Sequence, residues 1–187
     1  DRVAPGAGFG EHGHRDMEIV TVVLDGALAH RDSRGSGSAL RYGDVQYMRA
    51  GSGIRHSEFN ASDTEPVHFY QIWLEPTTPG GEPAYAEAHF APAEREGRWQ
   101  LVAAPAGDDG SLAIGQDARV YLGRPNGTPQ RLPLARGRHA WVQVLRGAAT
   151  VNGVALATGD GAALSEEEAL TVTGDAADAE VLVFDLA

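Results

Sequence analysis

The feature that most constrains this chain is its punctuation: 24 glycines break 187 residues into short runs rich in Val, Leu, Ile, Tyr and Trp. Such runs read as strands. β-Branched and aromatic side chains fit a half-buried pleated surface, and glycine supplies the positive φ of the turns between them. Residues 18–24 (EIVTVVL), Asp25-Gly26 and residues 27–32 predict a hairpin. Further strands are expected at 45–48, 67–74, 119–122, 141–145, 148–151, 169–173 and 180–185. Nothing long reads as a helix. Residues 84–98 and 165–168 have room for a helical turn or two, but Pro83 and Pro92 favour reading the first stretch as an inter-domain linker.

An internal repeat sets the expected domain organisation. Val23-Leu24-Asp25-Gly26-Ala27 matches Val144-Leu145-Arg146-Gly147-Ala148 at an offset of 121, and Gly43-Asp44 matches Gly159-Asp160 at an offset of 116. Each half closes on an apolar strand, VHFYQIWL at 67–74 and EVLVFDL at 180–186. Two copies of one strand-rich module fit this pattern, with domains at 1–80 and 99–187 joined by a linker at 81–98.

Composition removes whole classes of chemistry. The chain has no Cys, so disulfides, zinc fingers, thiolate catalysis and iron–sulfur clusters drop out, and any metal must use His, Asp or Glu. The formal net charge of −11, with no Lys and no basic arm, argues against nucleic acid as a direct partner. Apolar runs stay far below the roughly 18 residues a membrane helix needs, and the N-terminus lacks a charged-then-apolar signal. A soluble, cytoplasmic protein, monomeric and without a membrane partner, is the expectation. Asp1 opens the chain without Met, close to its most informative residues, so an N-terminal segment carrying the first strands is expected to be missing. Phosphate-binding and hydrolase motifs are unsupported: Gly6-Ala7-Gly8-Phe9-Gly10 has no preceding strand, and no Gly-x-Ser-x-Gly occurs.

Four residues carry potential chemistry, in two pairs. His12-Gly13-His14 precedes one strand, and His56-Ser57-Glu58 follows the turn Gly51-Ser52-Gly53. Side chains at i and i+2 of an extended segment share a face, so each pair offers two donors from one strand. Either pair alone is commonplace on a surface loop. Two such strands facing each other would gather three imidazoles and a carboxylate around one point, a set suited to Fe, Mn, Ni, Cu or Zn. Around an octahedral ion they would leave two neighbouring positions open. His30 and His68 read as satisfied structural groups or as groups that support the ligands, rather than as ligands, and His89 falls in the linker. The repeat offsets carry the four candidates onto Pro133, Ala135, Val172 and Gly174, so the second module is expected to lack a metal site, and His139 pairs instead with Glu18.

Residues 10–26 (GEHGHRDMEIVTVVLDG) and 43–60 (GDVQYMRAGSGIRHSEFN) resemble the two metal-binding motifs of the cupin superfamily, and their wording resembles the pirin family. The resemblance continues through His30-Arg31-Asp32-Ser33, Gln71-Ile72-Trp73 and residues 116–121 (QDARVY), covering nearly the whole chain. It implies an all-β bicupin, two stacked double-stranded β-helix (jelly-roll) barrels. One metal would sit in the N-terminal barrel on His12, His14, His56 and Glu58, most readily Fe(II), with Mn, Ni, Co, Cu or Zn as alternatives. Many other cupins use the glutamate of the first motif, here Glu18; the pirin pattern and the spacing of Glu58 from His56 favour Glu58. Gly13 stands where Pro is usual and Asp16-Met17 replaces a Gly-aromatic pair, changes expected to loosen the mouth of the site.

The resemblance implies a quercetinase-like dioxygenase that opens a flavonol ring with dioxygen and releases carbon monoxide, with Glu58 as general base. Its partners would be a small aromatic substrate and dioxygen, and Phe9, Phe59, Tyr70 and Trp73 are candidates for the pocket wall, at least half of them expected to pack in the core instead. The alternative implied by other pirins is a metal-containing, redox-responsive regulator that binds a transcription factor or a metabolic enzyme.

Overall fold

The computed structural model describes residues 1–175 and 178–187. Among them are seventeen strands, two 3-10 turns and no α-helix, so no helix is long and apolar enough to cross a membrane. The chain divides into two units, Asp1–Phe90 with Ile114–Gln116, and Ala91–Ala113 with Asp117–Ala187.

In the first unit, β1 (Arg2–Val3), β2 (Gly8–Asp25), β3 (Ala27–Asp32), β4 (Gly37–Arg41), β5 (Asp44–Asn60), β6 (Val67–Leu74) and β7 (Ala84–His89) form one sheet. Its order is β1-β6-β2-β5-β3-β4, with β7 also on β5. The long strands β2 and β5, 18 and 17 residues, pair antiparallel from Gly8↔Phe59 to Val22↔Val45. Both are interrupted at one level. Asp16 faces Gly51, each with a left-handed backbone (φ 63° and 49°), beside a register shift of the kind that bends a strand. On one side of this bend β5 pairs with β7, and on the other with β3.

The bend is clasped by the Gly80-Gly81 backbone. Gly80 N–H donates to Asp16 Oδ1 (2.6 Å) and Ser52 N–H donates to Gly81 O (2.8 Å). A Cβ on Gly51 would lie 2.5 Å from Gly81 O, so both conformation and space demand glycine there. Asp16 holds a conformation that glycine reaches more easily, and its side-chain bond to Gly80 compensates. Met17 packs on Ile19, Met48, Ala50 and Ile54. Asp16 and Met17 thus each make a contact at the bend.

Two expectations are corrected. β2 and β3 are not a hairpin: they flank opposite edges of β5, and Gly26 (φ 74°) makes a corner between them. The corner is packed so closely that a Cβ on Gly26 would meet Pro66 O at 2.5 Å. The stretch read as a linker is also structured. β7 completes a six-residue ladder with β5, Phe90 N–H donates to Gly43 O (2.7 Å), and Arg95, in the 3-10 turn Pro92–Arg95, is buried against Glu180 of the second unit, to which both belong.

The second unit contains β8 (Trp99–Ala104), β9 (Leu112–Ala113), β10 (Ala118–Gly123), β11 (Gln130–Pro133), β12 (His139–Arg146), β13 (Ala148–Val151), β14 (Val154–Ala157), β15 (Gly161–Leu164), β16 (Ala169–Gly174) and β17 (Glu180–Leu186). They form two sheets, β15-β12-β17-β10-β8-β9 and β11-β16-β13-β14. The repeat is visible in turn chemistry. Gly26 and Gly147 both turn at positive φ and press on the backbone just ahead of a final strand, β6 or β17. Asp44 Oδ2 accepts from Arg41 N–H (2.7 Å) and Asp160 Oδ2 from Ala157 N–H (2.9 Å), the same turn at both ends of the sequence offset.

Candidate metal centre

The site lies in the first half of β2 and the second half of β5. His12 faces His56 and His14 faces Ile54 in the ladder, so the i, i+2 pair on β2 and His56 on β5 project from one face. Their rings cluster, with centroids 4.9 Å apart for His12–His14, 4.4 Å for His12–His56 and 5.0 Å for His14–His56. One nitrogen from each lies within 4.8 Å of the others. His12 Nδ1 is 2.8 Å from Gly10 O, and since a carbonyl only accepts, Nδ1 carries the proton and Nε2 is left with its lone pair.

Glu58 stands in a second group, with His30 and His56, which also falls within 4.8 Å. His56 is common to both. Glu58 is buried; its Oε2 accepts from Gln71 Nε2 (2.8 Å), while Oε1 lies 4.0 Å from His30 Nδ1 and has no hydrogen-bond partner among the described residues. His30 is thus a neighbour of the candidate ligands. The signal that puts it beside the site is the β3–β5 register, His30↔Glu58 and Asp32↔His56, which composition and spacing do not reveal.

Electrostatics suit metal donors. Burial lowers the pKa of His14 and, more strongly, of His56; neighbouring imidazoles push the same way and Glu58 opposes. Burial would raise Glu58, but the approach of His30, the Gln71 hydrogen bond and the neighbouring His56 outweigh it and hold the carboxyl below its ordinary value. His56 Nε2 and Glu58 Oε1 are buried without a partner among the described residues, an arrangement that is costly unless something else occupies them. Three imidazoles and a carboxylate are a donor set that a divalent transition metal fits.

Glu18 is tied elsewhere. It is fully buried, accepts from the Tyr47 hydroxyl, and takes the Gly115 N–H at 2.8 and 2.9 Å. Of the aromatic candidates, Trp73 stands edge-on to His14 (5.1 Å, 86°) and is 55% exposed. Phe9 and Phe59 are also exposed rather than in the core, and Tyr70 lies against His68.

The C-terminal half matches a cupin-domain model, which gives the class, a cupin. The chain belongs to the pirin family. The Pirin family model matches residues 1–74, and the model for the quercetinase C-terminal cupin domain matches residues 101–186. It is 43% identical over 187 residues to quercetin 2,3-dioxygenase of Escherichia coli K12, covering 100% of this chain and 79% of the relative. The solved structure of E. coli YhhW superposes with a TM-score of 0.94 at 42% identity, over 100% of this chain and 78% of that one. The bacterial pirin YhhW in complex with nickel(II) gives a TM-score of 0.92 at 42% identity, over 99% and 79%.

Proposed function

We propose that this chain is a metal-dependent dioxygenase that opens the ring of a flavonol such as quercetin and releases carbon monoxide. The observation that carries the reading is the convergence of His12, His14 and His56 next to the buried, partner-poor oxygen of Glu58. In this reading His12, His14, His56 and Glu58 hold one divalent ion, Fe(II) first, with Mn, Ni, Co, Cu or Zn as alternatives. The quercetin dioxygenase name of the E. coli relative and the nickel(II) of the YhhW complex support it.

When bound, the ion supplies Lewis-acid and redox chemistry toward the flavonol oxygens and dioxygen. The chain's own groups do the remaining steps. Glu58, held ionised by its neighbours, accepts the flavonol hydroxyl proton as a general base. Trp73, exposed and edge-on to His14, offers an aromatic surface to a flat aromatic substrate.

Metal content and the loss of quercetin absorbance in air, measured together, test the assignment. Glu58→Gln keeps an oxygen in place but removes the base, so turnover should fall further than metal occupancy. Equal loss of both would leave Glu58 a ligand only.

A further inference from the structure

Resting on that metal-site reading, we propose that His30 and Asp32 are positioning residues, a buried Asp32–His30–His56 relay that fixes which nitrogen of His56 faces the ion. A histidine presenting Nε2 to a metal carries its proton on Nδ1 and needs an acceptor there. His12 has one in Gly10 O. For His56 the group within reach of Nδ1 is His30 Nδ1, 3.5 Å away, with both residues buried.

His30 accepts at Nδ1 only when its own proton sits on Nε2. That nitrogen faces Asp32 Oδ2 at 3.7 Å, and neither atom has a hydrogen-bond partner among the described residues. A bare Nε2 would set a lone pair against a buried carboxylate oxygen, whereas a protonated one makes the pair complementary. Asp32 is aimed for this role: its Oδ1 accepts from the N–H groups of Arg34 (2.8 Å) and Ser36 (3.0 Å), leaving Oδ2 for His30.

The ring of His30 is held from its face as well. Tyr85 of β7 stacks on it (5.0 Å, 28°), and the Tyr85 hydroxyl is 2.6 Å from Ser38 Oγ, opposite His30 in the β3–β4 ladder. The opposite tautomer would aim the Nδ1 proton at Glu58 Oε1, 4.0 Å away, at the cost of stranding Asp32 Oδ2, His30 Nε2 and the Nδ1 proton of His56 together.

Asp32→Asn is the discriminating variant. Asn Oδ1 can still take the two amide protons, but Nδ2 would donate toward His30 Nε2, move the His30 proton to Nδ1 and remove the acceptor of His56. Volume and fold are conserved, so a merely structural role predicts no change. Calorimetric titration with Ni(II) should show binding to the parent protein, weakened about ten- to hundredfold in Asp32→Asn and His30→Leu. His30→Asn, whose Oδ1 lies near the former Nδ1, should restore most of the loss. In the Zn(II)-loaded parent, long-range 15N–1H spectra should show His56 protonated at Nδ1 and His30 at Nε2 alone. Asp32→Asn binding Ni(II) as tightly as the parent, or a His30 proton on Nδ1, would overturn the relay, even if His30→Leu fails to fold. A parent protein that binds no Ni(II) removes the metal-site reading and the relay with it, whereas absent turnover with binding intact touches only the reaction.

Discussion

Imidazole binds a divalent ion through a neutral nitrogen, so the protonation of His14 and His56 links metal affinity to folding. Both are held below the ordinary imidazole value, chiefly by burial. In the unfolded chain they titrate near about 6.5, so below that pH the unfolded state binds more protons and stability falls with pH. Denaturant midpoints of chelator-treated protein should therefore drop between pH 7.5 and 5.5, and His56→Gln should flatten the slope; an equally steep slope in that variant would assign it to other groups. The two glutamates separate at the same scale. Glu18→Ala should leave metal content unchanged in elemental analysis, yet lose about 1–3 kcal/mol for each donor, Tyr47 hydroxyl and Gly115 N–H, left without its acceptor. That His12 and His14 share one face was legible because period two on a strand is a property of the chain alone. For His30 the sequence left two roles open, a structural group or a support to the ligands, and the cross-strand register places it beside Glu58.

At the scale of elements, the bend shared by β2 and β5 positions the site. Gly51→Ala would impose a side chain at φ 49° and 2.5 Å from Gly81 O, and it should destabilise the protein by about 1–3 kcal/mol in urea unfolding. A neutral result would mean that the Gly80-Gly81 clasp yields easily. Strands rich in Val, Ile and aromatics were readable: Ala27–Asp32, Val67–Leu74 and Ala148–Val151 match their sequence expectation end to end. β7 (AYAEAH), β14 (VALA) and β15 (GAAL) were not, since alanine-rich segments have little strand preference of their own and are drafted by the ladders beside them. Tyr85, which stacks on His30, sits in one of these unread strands.

At the scale of the whole chain, two strand units share turn chemistry but have different interiors. The pairing of β11 with β16 in the second unit corresponds to the ligand-bearing halves of β2 and β5 in the first. There Leu170 and Val172 are fully buried in an apolar cluster with Leu134, Val142 and Val181, which fills the space with side chains that cannot bind an ion. The glycine and aspartate turns of the repeat were readable because each needs a specific residue, whereas interior composition is free to diverge between copies. A single reaction centre per chain, in the first unit, is therefore expected. Its most direct test loads the protein with each of Fe, Mn, Ni, Co and Cu, supplies quercetin, and follows dissolved oxygen and headspace carbon monoxide together. Oxygen uptake matched by carbon monoxide release, with both abolished by a chelator, is the predicted result; no oxygen consumption with any of these metals would contradict it.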